Sequence, residues 1–413
     1  MKPIKVLGRL ENHMKPLDCC ALADLLIEIA WEKNLIRHTE IFLAENVNSY
    51  RDSFPGSIFE KWPEPSRIKE TFVLSVKPGE LTGPYDPKRL VTLPLRRLLH
   101  SVDPDSLRPG RYYPQGIISG LPGVFTSTLS PFRLKELTPS DFTADLNHPM
   151  ADVGMKISIR FLDTSLKPCE RGGTSTDWMD IILKGPGMQA LDPDTPAHPF
   201  YGPAFDRTNA DPDEGFYKTN RFVHHIDTTA SKNLADLYSR FLKTGDTVLD
   251  LMAGWVSHLP EHPGLASVYG LGMNAAEMKD NPSLTRFIVQ NLNRNPVLPY
   301  PDHFFDTILC SLSVEYLTDP VPVFREAARV LKPGGNLVMG FSNRWFPEKA
   351  IRIWADLHEF ERLGLVTRFF AESGRFHDIE TLSVRGYPRP VEDKYFPRLR
   401  EADPVYVVAG KAD

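Results

Sequence analysis

The run Thr247-Val248-Leu249-Asp250-Leu251-Met252-Ala253-Gly254-Trp255-Val256-Ser257-His258 decides the fold. Its first half is short and almost wholly apolar, as a strand buried on both faces must be. Its second half brings Gly254, Trp255, Ser257 and His258 to the strand's carboxyl end, where a loop is expected. Similar apolar runs follow at Ser267 to Leu271, Phe287 to Val289, Thr307 to Leu312 and Leu337 to Phe341, with helical or loop stretches between them. Strands alternating with helices predict an α/β fold, a mostly parallel sheet with flanking helices. In such open sheets a ligand sits beyond the carboxyl ends of the strands. The candidate site is therefore Met252 to His258, Gly272 to Asn274, Gln290 to Asn293, Ser311 to Tyr316 and Ser342 to Arg344.

Other landmarks frame these runs. Leu234, Leu237, Tyr238 and Phe241 recur at helical spacing, predicting a helix from about Thr229 to Leu242 that ends at Thr244-Gly245-Asp246, with Gly245 as left-handed cap. Asp302 to Asp306 is a turn into the fourth strand, and Lys332-Pro333-Gly334-Gly335 is a stop-and-turn device before the fifth. This order resembles the class I S-adenosylmethionine-dependent methyltransferases, Rossmann-like proteins of the type 11 kind. Leu249-Asp250-Leu251-Met252 followed by Trp255, Ser257, His258, Leu259 and Pro260 resembles a divergent subgroup of them.

The resemblance implies S-adenosylmethionine as cofactor. It places Asp250, Met252, Ala253, Gly254 and Trp255 against it from the first loop, and Gly272, Met273 and Asn274 from the second. Asn291, Leu292 and Ser311 complete the implied cofactor site. Three positions depart from the family pattern. Met252 and Val256 stand where glycines are usual, and Gly272 stands where a carboxylate commonly accepts the ribose hydroxyls, leaving Asn274 as a neutral substitute. The resemblance also places Pro404 to Gly410 as an antiparallel strand at the sheet edge.

Methyl transfer requires alignment of the acceptor and exclusion of water, with a general base where the acceptor is a protonated acid. His258 is the first candidate base, with bracing of its own loop as the equal alternative. Tyr316 joins it as a catalytic candidate. Glu315 either orients the substrate or lies on a solvated helix start. Phe216 to Asp227 reads as a lid, with Tyr217, Arg221 and His225 toward the substrate. Asn343 and Arg344 follow the fifth strand, where Arg344 is either a clamp for a carboxylate or phosphate or a surface ion pair. His224, His225 and Asp227 suggest a metal, but adjacent histidines on regular structure point apart, and none is assigned. Asp227 reads as a helix N-cap.

Upstream, Leu22, Leu25, Leu26, Ile29 and Ala30 recur at helical spacing, predicting an amphipathic helix from Cys20 to Leu35. Lys156 to Leu162 alternates as a half-buried strand. The segments Gly83-Pro84-Tyr85-Asp86-Pro87-Lys88-Arg89-Leu90-Val91 and Asp145-Leu146-Asn147-His148-Pro149-Met150-Ala151 resemble landmarks of the SlyD-type FKBP prolyl isomerases, with Asp152 in place of a turn glycine. That resemblance implies a β-rich α+β domain with an inserted flap. The expected organisation is an N-terminal helical segment (1–67), a SlyD/FKBP-like domain (68–166), a Pro/Gly-rich linker (167–215) and a methyltransferase domain (216–413).

The 413 residues carry a formal net charge of -5, with 41% hydrophobic and 24% charged residues. That composition suits globular domains and offers no basic field for nucleic acid. No apolar run reaches the roughly 20 residues needed to span a bilayer, so no membrane partner is expected and the compartment is read as cytoplasmic. Cys19, Cys20, Cys169 and Cys310 lack the spacing of a metal site or disulfide framework. The expected function is methyl transfer to a small-molecule acceptor, with a possible protein partner through the FKBP-like part. The alternatives are a chaperone-like interaction protein with a degenerate cofactor module, or a prolyl isomerase with a regulatory cofactor domain.

Overall fold

A computed structural model describes residues 21–34, 36–48, 50–54, 71–166, 173–185, 202–261 and 264–413. It begins with a long antiparallel hairpin, β1 (Ala21–Lys33) and β2 (Ile36–Asn48). This corrects the helix expected from Cys20 to Leu35 wherever that stretch is described; residues 1–20 and 55–67 of the expected N-terminal segment lie outside the described residues. Ala23, Leu25, Ile27, Ile29 and Trp31 are all buried, a strict period of two along one face. The apparent helical spacing used Leu22 and Leu26, which lie on the other face and are only half-buried.

β3 (Thr71–Val76) leads into an insertion. There β4 (Leu90–Pro94), β5 (Tyr112–Pro114), β6 (Pro131–Leu137) and β7 (Asp141–Asp145) form their own four-stranded antiparallel sheet, ordered β4-β7-β6-β5. A separate small core of Leu98, Leu107, Ile118, Phe132, Leu134 and Phe142 supports it. The chain then returns through β8 (Met155–Leu166), antiparallel to both β1 and β3. Ile157, Ile159 and Phe161 are buried there, as the alternation predicted, and Met155 extends the same face. Asn147 joins the two ends of the insertion: its Oδ1 accepts from the Asp86 backbone N–H at 2.9 Å and its Nδ2 donates to the Asp86 carbonyl at 3.1 Å.

Within the stretch expected as an extended linker, α1 (Trp178–Leu183) buries Met179, Ile182 and Leu183 in the same core as Ile29, Trp31 and Phe42. Residues 178–183 are thus packed structure. Pro193, Pro196 and Pro199 lie outside the described residues, as do Cys19, Cys20 and Cys169. Further on come α2 (Asp213–Tyr217) and α3 (Thr228–Tyr238), whose N-cap Asp227 accepts from the Ala230 N–H at 2.9 Å. Helix α3 stops short of Leu242, and Gly245 takes its left-handed conformation, φ 89°, in the turn beyond.

The central strands are β9 (Thr247–Leu251), β10 (Ser267–Gly272), β11 (Arg286–Val289), β12 (Phe305–Ser311) and β13 (Leu331–Ser342). They run parallel in the order β11-β10-β9-β12-β13. Helices α4 (Ala275–Lys279) and α5 (Pro320–Val330) connect them, and α6 (Arg352–Asp356) and α7 (Glu359–Ser373) precede β14 (Phe376–Arg385) and β15 (Val405–Ala412). β11 is an edge strand, exposed along its length rather than buried on both faces.

β15 is antiparallel to β13, but it is not an edge. β14 pairs beyond it, and β2 pairs in parallel with β14, so the hairpin and the strands behind it extend the same sheet to eleven strands. At that seam Arg385 forms a buried ion pair with Glu40, and His38 Nδ1 shares a 2.7 Å hydrogen bond with the Thr381 hydroxyl. Among the described residues no helix is long and apolar enough to cross a membrane.

Candidate functional site

The carboxyl ends of β9, β10, β12 and β13 open into a cavity of about 590 Å³, within the ~300–1,000 Å³ typical of small-molecule pockets. Met252, Ala253, Gly254 and Trp255 line it from the first loop, and Gly272, Met273 and Asn274 from the second. Asn291, Leu292, Ser311 and Tyr316 continue the wall, Tyr217, Arg221 and His225 come from the segment before α3, and Asn343 and Arg344 from the end of β13. Parallel topology delivers these distant residues to one place.

Backbone strain gathers here. Met252 (φ 61°), His258 (φ 51°) and Leu312 (φ 52°) are left-handed and non-glycine, and all three line the cavity. Such residues cost roughly 1–2 kcal/mol each, which the surrounding packing must offset.

Packing also explains the missing strand-end carboxylate. A Cβ on Gly272 would stand 2.1 Å from the Ala253 carbonyl oxygen, so no side chain fits there. Asn274 is not its substitute. Its Oδ1 caps α4 by accepting from the Ala276 and Glu277 N–H groups, and its Nδ2 donates to the Tyr217 carbonyl, Asn220 Oδ1 and Glu277 Oε1. Asn274 thus fastens the Tyr217 segment to the helix and has little left for a ligand.

Glu277, which the sequence reading missed, brings a carboxylate to the cavity beside the first loop. Its Oε1 accepts from the Arg221 backbone N–H at 2.7 Å. Its Oε2 lies 3.4 Å from where a Cβ on Gly254 would be. Desolvation holds the carboxyl above its ordinary range. One signal was present: Asn274 followed three residues later by Glu277 is capping-box spacing at a helix start.

His258 is both braced and turned to the cavity. Its Nδ1 shares a 2.9 Å hydrogen bond with the Ser231 hydroxyl on α3. Burial, then the charges of His224 and His225, press its pKa down to about 4, so it is neutral at physiological pH. The Tyr316 hydroxyl accepts from the Phe346 N–H at 2.9 Å, and burial holds it protonated. Ser311 shares its hydroxyl hydrogen bond with Tyr238 at 2.9 Å. Asn291 Nδ2 donates to Glu214. The Arg221 guanidinium donates to the Phe216 and Thr219 carbonyls and stacks 4.2 Å from the Phe216 ring centre. Tyr217 Oη and Trp345 Nε1 are buried with no hydrogen-bond partner among the described residues, and both residues line the cavity.

Two expected site residues lie elsewhere. Asp250 and Glu315 do not line the cavity; both are buried behind it, 2% and 1% exposed, each with one oxygen unpartnered. Burial pushes both carboxyls up to about 7. Asp250 sits inside β9, and Glu315 is neither a substrate ligand nor part of a solvated helix start. Asp227 caps α3 and accepts from the Asp403 N–H, so it does not converge with His224 and His225.

Residues 253–339 match the family described as a methyltransferase domain. Over 92 residues the chain is 34% identical to the ubiquinone/menaquinone biosynthesis C-methyltransferase UbiE of Laribacter hongkongensis, covering 22% of this chain and 36% of that protein. The homonymous protein of Serratia proteamaculans is 30% identical over 162 residues, 34% of this chain and 64% of its own length. The chain thus spans less than two thirds of the curated relatives it matches. Among solved structures, an S-adenosylmethionine dependent methyltransferase from Mesorhizobium loti is 17% identical, covering 44% of this chain and 98% of that one with a TM-score of 0.31. One from Aquifex aeolicus, also 17% identical, covers 45% and 95% with a TM-score of 0.31. The C-terminal half of the chain therefore carries a methyltransferase-domain match that begins inside the first cavity-lining loop and ends within β13.

Proposed function

We propose that the chain binds S-adenosylmethionine in this cavity and methylates a small-molecule acceptor. The observation that carries the reading is the cavity itself: strand ends that match a methyltransferase domain meet a half-buried carboxylate, Glu277, and two buried donors without partners, on Tyr217 and Trp345. Unpartnered buried donors cost about 1–3 kcal/mol each, and a bound ligand removes that cost.

Glu277 is the acceptor suited to a pair of ribose hydroxyls, and Gly254 leaves the backbone open beside it. When bound, the cofactor supplies a methyl group on a sulfonium, passed to the acceptor as the carbon–sulfur electron pair returns to sulfur. Tyr217, Arg221 and Phe346 cover the site and limit water. With Nδ1–H donating to Ser231, His258 keeps Nε2 as a proton acceptor, and Tyr316 presents a protonated phenol.

Calorimetric titration of the full chain with S-adenosylhomocysteine tests the reading. Saturable binding that disappears in Gly254→Leu is the expected result, and no binding by the folded wild type sinks it.

A second reading rests on the inserted sheet, whose loop exposes Phe125 (73%) and Leu129 (81%). Exposed large apolar side chains there favour contact with a protein chain through the SlyD-like part, as a chaperone-like or isomerase function would need. A proline-peptide isomerisation assay and an aggregation-suppression assay, each comparing wild type with Phe125→Ser/Leu129→Ser, separate it from a purely catalytic role.

A further inference from the structure

Charged side chains line the cavity in two groups, the first of which includes Arg221 beside Glu277. The acids that line it, Asp213 and Glu277, come from α2 and α4, and Asp213 is neutralised by Arg207 and Lys349. In the second group Arg344 and Lys394 line it together with Tyr395. The Arg344 guanidinium lies 4.6 Å and the Lys394 ammonium 5.0 Å from the centre of the Tyr395 ring, with Arg389 farther off at 5.9 Å, so both lining cations lie near one aromatic residue.

These cations are incompletely paired. Lys394 has no ion pair among the described residues, and Arg344 gives only Nε to Asp403, at 2.9 Å, leaving its terminal nitrogens without an acceptor there. Three of the nearby acids are already engaged, while Glu392 and Glu401 are exposed. Asp403 also holds Arg389, Asp393 holds Arg389 and the Tyr395 N–H, and Asp227 caps α3. His225 is held toward its neutral form by burial, then by Arg221, His224 and Lys394, as expected where the local field is positive. Trp345 and Phe346 add flat apolar walls beside the pair.

We propose that the methyl acceptor is a ring-bearing carboxylate, its anionic group held by Arg344 and Lys394 and its ring set among Trp345, Phe346 and Tyr395. Arg344 offers a planar fork and Lys394 a point charge, a combination suited to a carboxylate. This rests on the methyltransferase reading for what happens to the anion, but not for its binding.

The probe is naphthalene-2-carboxylate against its uncharged amide, titrated by fluorescence into the full chain with and without S-adenosylhomocysteine. The carboxylate is expected to bind about tenfold tighter than the amide, the scale of one charged hydrogen bond. Lys394→Met, an exposed position with no ion pair to lose, removes that preference, Lys394→Arg restores it, and neither changes amide binding. Arg344→Gln does the same if Asp403 stays in place, which an unchanged melting temperature shows. Equal affinity for acid and amide, or a preference untouched by Lys394→Met, overturns the proposal. If S-adenosylhomocysteine binds while that preference is absent, only the acceptor class is wrong; if the preference holds but S-adenosylhomocysteine does not bind, the anion site stands and the methyltransferase reading falls.

Discussion

Glu277 and Gly254 meet in the lining of the cavity, the carboxylate oxygen of the first 3.4 Å from where a side chain on the second would begin. The pairing relocates an acid. Gly272 at the end of β10 cannot carry a side chain, because the Ala253 carbonyl occupies the space, so the carboxylate reaches the cavity from the first turn of α4 instead.

Glu277→Gln tests that relocation. The amide oxygen can still accept from the Arg221 N–H, so the melting temperature is expected to stay nearly unchanged. Loss of the charge removes a charge-assisted hydrogen bond worth about 1.5–3 kcal/mol, so S-adenosylhomocysteine should bind roughly 10 to 100 times more weakly. Undiminished affinity would mean that another group holds the ligand.

The two loop glycines should behave oppositely. Gly272→Ala forces a Cβ to 2.1 Å from a backbone oxygen, which only a backbone shift can relieve, and should cost about 1–3 kcal/mol in urea unfolding. At Gly254 the same change meets only the far end of the flexible Glu277 side chain, and stability should move by less than about 0.5 kcal/mol. Equal losses at both positions would contradict the packing described.

Glu315 makes stability depend on pH. Its carboxyl, raised by burial to about 7 from an ordinary 4.5, keeps its proton in the folded chain where the unfolded chain has released it. Its contribution is therefore full below about pH 4.5 and lost as pH rises through 7. Glu315→Gln removes that loss. The variant should be more stable than wild type by about 3 kcal/mol near pH 8, with the gap closing toward pH 4.5. Denaturant unfolding across that range measures it, and a constant difference would show that Glu315 does not titrate in the window.

His258 should leave a different mark on turnover. With its pKa near 4, a rate that needs neutral His258 should be flat from about pH 6 to 8 instead of rising through 6.5. His258→Ala should lower the rate, while Ser231→Ala, which removes an acceptor from the Nδ1–H and so disfavours the protonated ring, should leave the plateau from about pH 6 to 8 flat. A wild-type profile rising through 6.5 points to another base.

Much of this architecture was legible because strands buried on both faces are written as apolar runs. The sequence of such runs from Thr247 to Phe341 matches β9, β10, β12 and β13, and parallel topology then placed Met252, Gly254, Ser311, Tyr316 and Arg344 around one cavity. β1 was misread because Leu22, Leu25, Leu26 and Ile29 fit a helix as well as a strand; Ala23, Ile27 and Trp31 on the buried face decide between them. Glu277 was hidden because the contact between Gly272 and Ala253 is close only in space. Asp250 and Glu315 are neighbours in sequence of lining residues, but their side chains enter the core. The parallel pairing of β2 with β14, Thr39 opposite Leu382, joins parts of the chain with no local signal to connect them.

The inserted sheet is fixed to the other half through Arg111 and Glu361. Their side chains are 8% and 6% exposed and 3.3 Å apart, and Glu361 also accepts from the Tyr112 N–H at 2.9 Å. Tyr112 meets the Phe360 ring at 5.2 Å, and Arg111 donates to the Asp356 carbonyl. Removing one member of a buried pair strands the other charge, at a cost of about 3–5 kcal/mol, whereas replacing both with apolar groups is often close to neutral. Arg111→Met should therefore destabilise strongly and expose the insertion to trypsin, while Arg111→Met/Glu361→Leu recovers much of the loss. Because the eleven-stranded sheet is continuous as well, wild-type urea unfolding should show one transition by both fluorescence and circular dichroism. Two resolved transitions, or a double variant as unstable as the single one, would show that the insertion is held by something other than this pair.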